Sequence, residues 1–272
     1  MKPPSFLSAT MRIFDLSLGE MLWARRTIFM ALLVAGPVCL ALVSRLASAS
    51  GTAILRINGE RVGSAGIFGA IVWVLFLRFI VPALGVFYGT SLIADEVEDK
   101  TITYLFTRPI PRRSIVLGKY LAYLVCSTSV VLPSVTLVFL LMVPFANMAT
   151  AFLPLLQDLG ILAIGLAAYG ALFMLAGVAL RRPLVAGLVF AFGWEQIALV
   201  MPGYLRYATV AYYLRALVPQ VTPGWDTLSL FQSAAGDVPS APASLFSLAL
   251  LTLTALILAM QTVERREYVL EQ

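Results

Sequence analysis

Histidine is absent from the 272 residues, and cysteine occurs only twice. Without imidazole, neither a His-ligated metal nor a His general base is open to this chain. Cys39 and Cys126 both sit in apolar runs, where a thiol packs as a small hydrophobe, so no disulfide is expected. Charge is scarce as well. Asp, Glu, Lys and Arg make up 12% of the chain, about half the share usual in soluble domains. A phosphate-binding loop is also missing: Gly118-Lys119 lacks the upstream glycine and the following Ser or Thr. No acidic pair within an apolar run offers a metal or proton site. The chain is therefore expected to hold no catalytic residue, no metal and no cofactor of its own. Its net charge of +5 belongs to the flanks of membrane spans rather than to a nucleic-acid partner.

What is present is apolar. Hydrophobic residues make up 60% of the chain and the mean hydropathy is +0.92. Repeated charge-free runs of about 18 residues or more are transmembrane helices. The reading is an all-α polytopic membrane protein, one transmembrane domain over residues 1–272. Six spans are predicted at about 27–44, 76–94, 118–143, 159–180, 184–201 and 241–263. Residues 1–26 do not read as a signal peptide, because Asp15 and Glu20 interrupt them. Phe6, Leu7, Met11, Phe14, Leu18, Met21 and Leu22 recur at helical spacing, which predicts an amphipathic helix lying in the interface. Residues 46–65 read as an external loop turning at Asn58-Gly59. Gly66–Leu77 reads as an interfacial or partly inserted helix ahead of span two, and Pro144–Asp158 as a short external loop. Pro202–Ser240 reads as an external aromatic segment with a short helix over Leu205–Leu217 dipping into the outer leaflet. Lys and Arg concentrate on the side that carries both termini, so the positive-inside rule places the termini in the cytoplasm.

The longest charged interruption runs from Gly85 to Lys119. An acidic cluster (Asp95, Glu96, Glu98, Asp99) opens it, and Ile102, Tyr104, Leu105 and Phe106 form an apolar turn in its middle. Arg108, Pro109, Pro111, Arg112 and Arg113 close it. Between two spans, this pattern predicts a short helix on the cytoplasmic membrane surface. Gly89, Ile93, Ala94, Glu96 and Thr101, then Leu105, Pro109, Ile110 and Arg112, then Gly118 and Lys119, fall where the ABC-2 family of ABC-transporter permeases carries its coupling-helix motifs. The chain resembles that family over nearly its whole length. It departs where the family's usual Gly-Thr is Lys100-Thr101.

The resemblance implies a permease subunit, one of a pair and most simply a homodimer, served by two separate ATP-binding subunits that carry the ATP and Mg. It implies that Asp95, Glu96, Glu98, Asp99, Thr101, Tyr104, Leu105, Phe106, Arg108, Pro109 and Arg112 meet the ATPase subunit. It further implies export, a bacterial cytoplasmic membrane, contact with lipid, and an N-terminal helix like the one read here. Arg78, Pro82, Gly89 and the acidic end of span two are similar to the branch containing nitrous-oxide-reductase maturation permeases, which adds a periplasmic partner. Two other readings stay open: a mechanotransmitting subunit that moves nothing, and an ion-driven secondary transporter.

Two sites inside the apolar runs stand apart. Arg78 lies about 25 Å from Asp95 along a helix, either as an interfacial anchor or as a contact for an anion or headgroup. Glu195 lies about 20 Å beyond Arg182. An unpaired carboxylate in lipid costs about 2.5–3.5 kcal/mol. Glu195 therefore either pairs with Arg78, Arg206 or Arg215 to hold an external gate, or reaches the headgroups.

Overall fold

The computed structural model describes residues 6–23, 25–49, 56–57, 60–61, 64–98, 111–200, 204–218 and 239–265. Helix α1 is Phe6–Trp23 and α2 is Arg25–Ala49. Strands β1 (Arg56–Ile57) and β2 (Glu60–Arg61) pair antiparallel, Ile57 opposite Glu60, and so bracket the Asn58-Gly59 step. Helix α3 covers residues 64–98, α4 is Arg112–Met142, and α5 is Met148–Ala179. Helix α6 covers residues 183–200; after a short 3₁₀ turn at Tyr204–Ala208, α7 is Val210–Leu217 and α8 is Ala241–Arg265.

Among the described residues five helical stretches are long and apolar enough to cross a membrane. They are Thr27–Ala47, Ile67–Ala94, Arg112–Met142, Phe145–Ala179 and Ala241–Arg265. The predicted fifth span, on α6, is a shorter apolar helix at Pro183–Ala198.

Two local expectations are corrected. The separate interfacial helix expected over Gly66–Leu77 does not exist as such: α3 runs on through it as one rod. Its turns are π-helical at Ile71–Ile80 and at Gly85–Gly89. A wider turn rises less per residue, and an apolar stretch longer than the bilayer core fits by tilting. The loop expected at Pro144–Asp158 is mostly helix, since α5 starts at Met148 and carries Pro154 inside it. In an apolar setting the helix extends as far as its backbone can bond to itself, because no water is there to take up the loose amides.

Helices α3 and α5 form the centre. Their seam is made by residues without side chains. A Cβ on Gly177 would lie 2.4 Å from the Thr90 carbonyl oxygen, and one on Gly89 would lie 3.1 Å from that of Gly170. A Cβ on Gly85 would lie 2.8 Å from Tyr169 Cβ. Lipid tails are as apolar as leucine, so burying grease brings no gain between spans, and close backbone approach supplies the attraction instead. On the other side of α5, a Cβ on Gly170 would fall 2.1 Å from the Tyr123 ring of α4. That ring's hydroxyl donates to the Leu166 carbonyl at 3.1 Å, and Tyr120 donates to the Ala167 carbonyl at 2.9 Å. The phenols are thus satisfied by carbonyls already on the helix, which is what an apolar interior demands.

Helix α1 lies along α4. Its buried residues are Ala9, Thr10, Ile13 and Ser17, the small or β-branched face. They meet Gly118, where a Cβ would come within 2.9 Å of Ile13 and of the Thr10 carbonyl oxygen. The large apolar residues point away: Leu7 is 74% and Trp23 is 93% exposed.

The seam predicts a contrast between two glycines of α5. Gly177→Ala should lower stability by about 1–3 kcal/mol through overpacking. Gly160→Ala, with nothing within 4 Å of the added carbon, should be neutral. Thermal unfolding of the two purified variants in one detergent checks this, and an equal Tm would refute the seam.

Candidate functional site

The residues singled out by the sequence fall at two places. The first is the end of the bundle where α3 finishes and α4 begins. Asp95, Glu96 and Glu98 occupy the last turns of α3. Asp99, Thr101, Tyr104, Leu105, Phe106, Arg108 and Pro109 lie outside the described residues. Arg112 opens α4, just after Pro111, whose extended ψ of 124° starts the helix. This first turn is tied to the last turn of α8. Arg113 donates to both carboxylate oxygens of Glu264, at 2.6 Å from Nε and 2.8 Å from Nη2. Arg112 donates to the Glu264 backbone carbonyl at 3.3 Å. A guanidinium fork on a carboxylate fixes direction as well as distance. Exposed as it is, with side chains 56% and 37% accessible, this pair sets geometry more than it adds stability. The next residue, Ser114, reaches the Phe6 carbonyl at 3.4 Å, and Gly118, four residues further on, seats α1. The start of α4 is therefore the point where α1, α4 and α8 are joined.

The second place lies in the interior, where α5, α6 and α7 meet. Glu195 begins the last segment of α6 and is 1% exposed. Its carboxylate accepts a hydrogen bond from the Tyr169 hydroxyl of α5. On its other oxygen it accepts the backbone N–H of Val210 at 3.0 Å, and the Ala211 N–H points the same way. These are the first two amides of α7. Thr209 at the N-cap makes no side-chain cap bond, so Glu195 serves as a cap supplied from another helix. Carboxylates are favoured there because the first amides of a helix are unbonded and carry partial positive charge.

Glu195 therefore does not reach headgroups. Its hydrogen-bond partners are Tyr169 and the amides of α7, while Arg78 acts on it electrostatically and itself donates to Gln196. Arg206 stacks against the rings of Tyr207 and Tyr212, with its central carbon 5.5 and 5.6 Å from their centroids. Arg215 sits in the last turn of α7. Below these polar contacts, Leu214 of α7 packs on Gly165 of α5, which also touches Val81 of α3.

Tyr169, Gln196 and the α7 amides were not singled out from sequence. A signal for Tyr169 exists in hindsight: it is a ring with a polar tip in a stretch otherwise built of Gly, Ala and Leu (GLAAYGAL). Nothing in the sequence ties the amides of Val210 and Ala211 to a carboxylate some fifteen residues earlier. Among the described residues no group of three or more His, Cys, Asp or Glu could hold a metal ion.

Apolar helices joined by small-residue seams, five of the described stretches long enough to cross a membrane, define a multi-pass membrane protein. The family whose model matches is described as ABC-2 family transporter protein, and the match covers residues 19–268. The chain belongs to that family. It is the membrane component of an ABC transporter, and family membership implies association with an ABC ATP-binding subunit. No curated protein sequence matches it.

Glu195→Ala should leave the Tyr169 hydroxyl and the Val210 amide without an acceptor in a buried site, costing about 1–3 kcal/mol. Glu195→Gln keeps an oxygen for the amide and should cost less. Hydrogen exchange across residues 204–218 should rise strongly in the Ala variant and slightly in the Gln variant. Unchanged exchange in both would remove the capping role.

Proposed function

We propose that this chain is the permease half of an exporter driven by ATP bound and hydrolysed, with Mg, in separate subunits. Two copies of the chain, most simply identical, pair with two ATP-binding subunits in a bacterial cytoplasmic membrane, termini in the cytoplasm. Residues 95–112 then lie on the cytoplasmic side as the coupling segment. Tyr104, Leu105 and Phe106 fill a groove on the ATPase, and Asp95, Glu96, Glu98, Asp99, Arg108 and Arg112 fix its orientation.

The observation that supports this reading most directly is the tie at the start of α4. Arg113 and Arg112 on Glu264, and Gly118 under α1, make the segment's exit rigid with respect to α1 and α8. A push on the segment is thereby passed to three helices at once. At the other place, Glu195 holds α7 against α5, so that α7 closes the path until the bundle rearranges. Arg78, Arg206 and Arg215 gather around this closure. The Arg78, Pro82 and Gly89 pattern favours the branch that hands force or a small cargo to a periplasmic partner. The ion-driven alternative has less support, because the buried acid, Glu195, is engaged in capping a helix.

Charge reversal at Glu96 together with Glu98 should release the ATP-binding subunit or uncouple hydrolysis from export. Co-purification and transport-linked ATPase activity measure both, and full retention of each would sink the coupling role. Topology gives an independent check. Single cysteines at Asn58 and Asp226 should label from the periplasm, and at Lys100 and Arg266 from the cytoplasm. Labelling of Asn58 and Lys100 from one side would overturn the six-span arrangement.

A further inference from the structure

Three neighbouring helices are each weakened part-way along. In α4, Pro133 lies inside the helix and cannot donate to the Ser129 carbonyl. Hydroxyls crowd the backbone on both sides of it. Ser127 donates to the Tyr123 carbonyl at 2.8 Å, Ser129 to that of Cys126 at 2.8 Å, and Thr136 to that of Leu132 at 2.9 Å. Such bonds compete with the helix's own and bend it. In α2, Pro37 follows Gly36, where an added Cβ would meet nothing within 4 Å. The proline deprives the Leu33 carbonyl of its helix donor, and the glycine adds freedom to the same turn. In α3 the weakening is the π-helical stretch Ile71–Ile80. Prolines and π turns are where helices bend sharply.

The contacts on either side of these points are firm. At the far end, Ser44 donates to the Met142 sulfur at 3.2 Å and Arg45 to the Leu141 carbonyl at 2.5 Å, so the end of α2 closes the last turn of α4. Phe68 of α3 meets Phe139 of α4 edge to face, with centroids 5.5 Å apart. Towards the other end each helix belongs to something else. Gly85 and Gly89 lock α3 on α5, while Gly118 and Arg113 tie α4 to α1 and α8. There α2 lies against α3 through Phe29 and Phe87, centroids 5.3 Å apart. One bond joins two of the weak points: Ser134, beside Pro133, donates at 3.4 Å to the carbonyl of Val34, a turn before Pro37.

We propose that the far ends of α2, α3 and α4 form one block that pivots on these three points against the rest of the bundle. A bend in α4 alone would pull Leu141 from Arg45 and Phe139 from Phe68. Weakness shared by all three helices lets the fastened ends move together with those contacts kept, as a hinge of a few residues does. The pivot stands whether or not residues 95–112 couple to an ATPase. Under the coupling role proposed above, it is where a displacement at the start of α4 becomes a displacement of the far ends.

Distances between spin labels, read by pulsed EPR on the full chain in lipid nanodiscs, test the pivot. Cys39→Ala and Cys126→Ala remove the native thiols. One labelled pair, Val43→Cys with Leu137→Cys, lies within the block, and a second, Leu137→Cys with Leu258→Cys, joins the block to α8; all three positions are exposed. The second pair should give a distance distribution about twofold wider than the first. Pro37→Ala with Pro133→Ala should narrow it to the width of the first, because both helices regain a backbone bond. Pro154→Ala, in α5 and so outside the three helices, should leave it wide. Equal widths for the two pairs before any proline is replaced overturn the proposal, whether or not the double variant folds. So does a width across the pivot that the double variant leaves unchanged, or one that Pro154→Ala narrows equally.

Discussion

The close approach of α3 to α5 is the constraint on which the rest depends. Where Gly85, Gly89 and Gly177 remove the side chains, backbone meets backbone, and the two helices cannot slide without a clash. In an apolar solvent this steric lock replaces the hydrophobic effect as the source of specificity. Everything polar is then placed relative to that lock. Tyr169 lies on α5 one turn before Phe173, its ring stacked on that neighbour with centroids 6.0 Å apart. Its hydroxyl is thereby delivered to Glu195, and Glu195 in turn fixes where α7 begins. The sequence of dependence runs from missing side chains to a helix cap.

The same logic accounts for the π-helical turns of α3. A π turn turns out one more residue per hydrogen bond than an α turn and so rotates the face that follows. Two such stretches lie on either side of Val81–Leu84. They allow Arg78 to face Gln196 of α6 while Gly85 and Gly89 still face α5. Gly187 of α6 completes the arrangement by lying against Val86 and Phe173, so that α6 follows α3 and α5 closely.

Much of this was legible in the residues. The apolar runs announced the helices, and the break at Arg181-Arg182-Pro183 announced the turn before α6, because charge and proline cannot continue an apolar helix. The glycines of α5 announced close packing; Gly165, Gly170 and Gly177 do touch neighbours, whereas Gly160 does not. Boundaries were harder. Residues 66–77 and 148–158 carry no periodicity that separates an interfacial helix or a loop from the continuation of a long one, since apolar length is the same signal for each. The resemblance to the ABC-2 family lay in the residues of the charged segment, a specific signal because charge is rare elsewhere, and the family match over residues 19–268 bears it out. The partners of Glu195 were not legible: backbone amides leave no mark in composition, and a carboxylate in an apolar run suggests an arginine first.

Helix α1 reverses the usual sense of amphipathicity. Ala9, Ile13 and Ser17 face protein, and Leu7, Met11, Leu16 and Trp23 face outward. Extraction from a bilayer thus puts this helix in an unusual position. A detergent has to coat the large outward residues generously, yet its tails are chemically indistinguishable from the seam over Gly118. No gain in solvent entropy holds that seam shut against them, only fit and the Ser114 hydrogen bond to the Phe6 carbonyl. Thin, flexible tails are able to enter it where bulky or rigid ones are not. The choice of amphiphile therefore decides whether α1 leaves the membrane still seated on α4.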